Sequence, residues 1–260
     1  MFGWFRSKPE CPVDVDTRQW IDGRWQWLEG QFGLGRLCKA PVVLPRPEFF
    51  PDPYRSTDED ARRLLDRVCG YMDIDPATVE FSLYEDRNPV YEGQWRQGTA
   101  GLYHPEAGKF RIWIEVTNLA DPLAMVATMA HELGHVHLLG HGRVSDEAED
   151  HEPLTDLLTV FFGLGVFTAN SVIREQYWHE GNYSGWSMGR RGYLGMPQYG
   201  YAFARFARSR GEDGAGWSRE LRLDVRSAFQ QSMRFLSSAE SSAEITVGRA
   251  EPGAAADGGA

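Results

Sequence analysis

The chain has 260 residues, 42% of them hydrophobic and 25% charged, the balance of an ordinary folded protein long enough to bury a substantial core. Its formal net charge of -10 argues against a general nucleic-acid binder, because displacing the counterions around phosphates takes a cationic surface. Cys11, Cys38 and Cys69 stand far apart and include no C-x-x-C pair, so neither a disulfide framework nor a cysteine zinc site is indicated, and a reducing cytoplasm fits best.

The opening "MFGWFRSKPE" holds an apolar cluster well short of a signal-peptide core, and Phe2, Trp4 and Phe5 would make at most a weak interfacial anchor. No apolar run reaches the roughly 18 residues needed to span a bilayer. Residues 14–33 read as a short amphipathic helix stopped by Gly30 and Gly33, with Trp20, Trp25, Trp27 and Leu28 expected in the core. Five prolines in "APVVLPRPEFFPDPY" cannot sustain a helix, so an extended connector laid over the surface is expected. From Thr57 to about Tyr71 a capped helix is predicted, with acidic residues in its first turn and Ala61, Leu64, Leu65 and Val68 as its stripe. The period then changes: residues 79–86, 99–104 and 109–116 read as strands, and "PEAG" between the last two as a hairpin turn.

Asp121 and Pro122 open another helix, as N-cap and first helical residue, and its apolar stripe continues to a stop at Gly140 or Gly142. A further helix is predicted over about 151–168, where Gly163 and Gly165 would let two helices approach closely. A glycine- and aromatic-rich loop over 177–201 leads to helices near 197–210 and 218–236. After Ser237 the composition cannot build a core, so 237–260 is expected to be a disordered tail. The chain shows no internal repeat.

Late in the helix that Asp121 opens stand His131, Glu132 and His135, in the order H-E-x-x-H. Residues four apart share a helix face, so the two imidazoles can present nitrogens to one zinc ion. Glu132 projects beside the ion, where its carboxylate can accept a proton from water. Two residues compete for a third ligand place, His141 and Glu152. Glu152 and Asp156 lie four apart at the opening of the apolar run "LLTVFFGLGVF", where acids are poor core residues unless a cation or a donor meets them. Pro153 requires Glu152 to sit at the very start of its helix.

This region, firmly over 131–156, resembles the HExxH zinc metallopeptidases, two branches of which fit differently. In the metzincin pattern His141 falls at the last histidine, but Leu138 stands where that branch needs a glycine to bend the chain. Met188 or Met196 would have to serve as that branch's methionine turn. In the gluzincin pattern H-E-x-x-H is followed by E-x-x-x-D, matched here by Glu152 and Asp156. That resemblance implies that His131, His135 and Glu152 bind zinc and that Asp156 fixes the tautomer of His131. It leaves His137 and His151 as bystanders, or His151 as an outer partner.

The reading adopted is α+β and zincin-like: a small mixed or antiparallel sheet packed on the H-E-x-x-H helix, with further helices towards the C-terminus. Residues 1–236 would form one domain, with 1–56 as an N-terminal extension. It implies Zn²⁺ as cofactor, Glu132 as general base, and a peptide or protein as substrate, with no nucleic acid and no membrane span. In this superfamily an edge strand pairs with the substrate, a role that "KFRIWIEV" would take. His179, Tyr193, Tyr199 and Tyr201 are all available to stabilise an oxyanion. The alternative is a zincin-like binding or regulatory protein whose metal is structural.

Overall fold

A computed structural model describes residues 9–85, 101–106, 109–171 and 194–248. Among the described residues three strands and eight α-helices follow one another, and helices dominate. Helix α1 (Val15–Phe32) is capped by Asp14, whose carboxylate accepts from the Thr17 N–H at 2.8 Å. Trp25 is fully buried on it, while Trp20 and Trp27 pack partly buried against the core. The short α2 (Leu34–Lys39) follows.

The proline-rich connector departs from expectation at one point. Val43 and Leu44 are buried, and the Val43 N–H donates to the Gly163 carbonyl at 2.9 Å. Two apolar side chains between prolines anchor the segment there, while residues 45–48 and 51–53 stay exposed over the surface as expected.

Helix α3 (Asp58–Tyr71) starts at the predicted Thr57, which exchanges side-chain and backbone hydrogen bonds with Asp60 in a capping box. Strands β1 (Val79–Tyr84), β2 (Gly101–Glu106) and β3 (Lys109–Glu115) form a mixed sheet in the order β1-β3-β2, with β1 parallel and β2 antiparallel to β3. Glu106 pairs with Lys109, as a hairpin over "PEAG" requires. Phe81, Ile112 and Ile114 point into the core, while Arg111 pairs with Glu80 at 2.9 Å on the other face. β3 is therefore the central strand. Both of its edges are already paired, so "KFRIWIEV" has no free edge to offer a peptide, contrary to the reading from sequence order alone.

Helix α4 (Pro122–His135) lies against β2 and β3 on one side and α3 and α5 on the others. Asp121 caps it as expected, accepting from the Leu123 and Ala124 N–H groups. It runs on into one π-helical turn, Val136–Gly140, and the chain reverses at Gly142, where φ is +63°. Helix α5 (His151–Phe161) is followed by a break at residues 162–164, and α6 begins at residue 165. The predicted 151–168 helix is thus broken in two.

Gly163 and Gly165 do lie at close approaches, but the contact between α4 and α5 is made at Gly134. A Cβ there would come within 2.6 Å of Thr155 Cγ2, so the glycine is what lets α4 meet α5. Gly163 lies against the Pro41 backbone and Gly165 against Val160 and Phe203. Helix α7 (Met196–Ser209) packs along α8 (Leu223–Gly248) and reaches α1, where the Tyr201 hydroxyl donates to Asp22 at 3.0 Å. α8 carries helix through 237–248, where a disordered tail was expected, alanine and glutamate being good helix formers; residues 249–260 of that tail lie outside the described residues. One hydrophobic cluster runs from Ile21 to Phe229 through all these layers. Among the described residues, no helix is long and apolar enough to cross a membrane.

Candidate metal centre

The first turn of α5 lies beside the last turns of α4, and five side chains meet where they touch. His131 Nδ1 stands 3.0 Å from Asp156 Oδ1, and a carboxylate only accepts, so the Nδ1 carries the proton. Thr155 Oγ1 donates its proton to the His151 carbonyl at 2.7 Å and lies 3.3 Å from His135 Nδ1. With its proton committed, the Thr155 oxygen accepts, and His135 is protonated on Nδ1 as well. Both Nε2 lone pairs are thereby turned to the same point.

Those two Nε2 atoms lie 3.1 Å apart, and Glu152 Oε2 stands 3.1 Å from one and 3.4 Å from the other. Two imidazole lone pairs and a carboxylate oxygen this close repel one another unless a cation, a bound proton or a metal ion, joins them. The spacing is telling: ligands about 2.0 to 2.1 Å from a tetrahedral zinc sit about 3.3 to 3.4 Å from each other. Ligand atoms of His131, His135 and Glu152 all fall within 4.8 Å of one another. The donor set, two imidazoles and one carboxylate, suits zinc.

Electrostatics point the same way. Burial works against a charged His131, yet Asp156 and Glu152 outweigh it and hold its pKa well above the usual histidine value. Burial likewise opposes the Glu152 anion, but the hydrogen bonds and charges of His131 and His135 hold its carboxyl well below the usual range. The cluster is built to favour positive charge at its centre. Glu132 is only 4% exposed. Burial pushes its pKa up, while the neighbouring His135 and His131 pull it down, which places it within their electrostatic reach but outside the convergent trio.

The remaining candidates separate cleanly. His141 is exposed beyond the π turn, with its ring against Phe110 at 5.5 Å, and it is not among the convergent ligand atoms. Leu138 is buried and helical, so the chain does not bend where a metzincin-like site would need it to. His137 faces α3: its Nε2 donates to the Met72 carbonyl at 2.6 Å, and burial pushes its pKa down to about 4. The His151 ring lies 5.8 Å from that of His135, at the rim. Tyr201 is committed to Asp22, Tyr199 is buried beside Phe203, and Met196 opens α7. His179, Met188 and Tyr193 lie outside the described residues.

Three contributors lie outside the sequence motifs. The Leu194 N–H donates at 2.9 Å to the second oxygen of Asp156, tying the entry to α7 to the same carboxylate. Thr155 is fully buried at the centre of the site; its place three residues after Glu152 on one helix face was the available signal. Gly134 was signalled by being a glycine inside a helix, which usually marks close packing. Compared with known proteins, the chain matches no family model, no curated protein and no solved structure.

Proposed function

We propose that this chain is a zinc-dependent hydrolase, most specifically a peptidase, with a zincin-like, gluzincin-type site in which His131, His135 and Glu152 hold the ion. The observation that carries the proposal is the convergence of two Nε2 atoms and one carboxylate oxygen at tetrahedral-edge spacing. When bound, zinc supplies Lewis acidity, polarising a carbonyl and lowering the pKa of water towards neutrality.

The protein's own groups do the rest. Asp156 and Thr155 hold the two rings with Nε2 facing inward. Glu132 takes a proton from the attacking water as its oxygen bonds to the carbonyl carbon, and delivers it to the amide nitrogen as the C–N bond breaks. A carboxyl whose pKa burial raises is suited to both halves of that transfer.

The test is cleavage of a mixed peptide library by the zinc-reconstituted full chain, read by mass spectrometry. New termini that vanish on chelation and return with zinc are expected. A zinc-loaded protein that cleaves nothing would move the fold to the binding or regulatory reading.

A further inference from the structure

Glu152 occupies the second position of α5, in a first turn that has no side-chain cap. Asp150 is the N-cap residue, and aspartate is among the best capping side chains, yet it makes no cap hydrogen bond. Both of its oxygens are used elsewhere. Arg24 of α1 grips it with a two-pronged fork, Nε to Oδ2 at 2.7 Å and Nη2 to Oδ1 at 2.8 Å. Trp20 Nε1, one turn earlier on α1, adds a third bond to Oδ2 at 2.8 Å.

These three bonds span 126 to 130 residues of sequence and end two residues before Glu152. An arginine fork fixes the carboxylate plane as well as its position. Pro153 then stiffens the backbone just after Glu152, so the glutamate lies between an anchored residue and a rigid one. Helix α1 is itself immobilised, through fully buried Trp25 and the Tyr201–Asp22 bond.

We infer that Arg24 and Trp20 are positioning residues for Glu152, acting through Asp150, so that the N-terminal helix is a working part of the metal centre. The inference rests on the reading of Glu152 as a zinc ligand. It predicts that loosening the grip of α1 weakens metal binding without emptying the core.

The experiment measures the zinc dissociation constant of the full chain by competition with a chromophoric chelator, for wild type, Arg24→Gln, Arg24→Lys and Trp20→Phe. Visible absorption of the cobalt(II)-loaded forms and thermal melting of the metal-free forms accompany it. Arg24→Gln should raise the dissociation constant about 10-fold or more and change the cobalt band, with Arg24→Lys partly restoring both. Trp20→Phe, which keeps the ring and removes one donor, should raise it severalfold and stands in if Arg24→Gln fails to fold. Variants that melt lower but bind zinc as wild type does, within about twofold, would reduce the contact to ordinary scaffolding and overturn the inference. A wild type that binds no zinc would overturn both the inference and the reading beneath it.

Discussion

Glu132→Gln is expected to abolish peptide hydrolysis, by about 10³-fold or more, while the protein keeps its zinc. Gln has the shape of Glu and fits the same nearly closed site, where Glu132 is 4% exposed. What it lacks is a basic oxygen to take a proton from water. Because the three convergent ligand atoms belong to His131, His135 and Glu152, losing the Glu132 charge leaves the donor set intact. Burial already strains the ionised form of Glu132, so the neutral substitute should cost the fold little. Turnover by the variant on the same peptides at the wild-type rate would remove Glu132 from the mechanism.

Gly163→Ala should be the most damaging small substitution in the scaffold. Gly163 has φ +84°, and an added Cβ would lie 2.2 Å from the Pro41 carbonyl oxygen and 3.3 Å from its carbon. A left-handed alanine costs about 1 kcal/mol by itself, and overlap with a backbone atom cannot be relieved by a rotamer change. The Val43 N–H to Gly163 carbonyl bond holds the two segments at that distance. A loss of about 3 kcal/mol is expected, a fall of roughly 6 to 12 °C in Tm for a chain of this size. Gly23→Ala is the control, since its Cβ meets nothing within 4 Å inside α1 and should be neutral or slightly stabilising. Equal melting of Gly163→Ala and wild type would show that the connector is not locked there.

Elements set by neighbours within a turn are legible in the sequence. The Asp121–Pro122 start of α4, the Thr57 box of α3 and the four-residue spacing of His131 and His135 depend on neighbours within a turn. The pairing of Glu152 and Asp156 was legible for the same reason, because two acids at helical spacing before an apolar run ask for a partner. The order of the sheet was not, since placing β3 in the centre depends on pairings with β1 and β2 that no strand's own residues encode. The Val43–Gly163 bond that anchors the connector, Thr155 against His135, and Arg24 with Trp20 on Asp150 share that character: each joins residues from different parts of the chain. The helix of α8 past 236 was not legible because a composition that cannot form a core can still form a helix.

The central claim, that His131, His135 and Glu152 hold one metal ion, is tested most directly by elemental zinc analysis of reconstituted, chelator-free protein. Wild type and His141→Ala are each predicted to carry about one zinc per chain, and Glu152→Ala to lose it. Zinc lost from His141→Ala but kept by Glu152→Ala, or no zinc in wild type, would contradict the account.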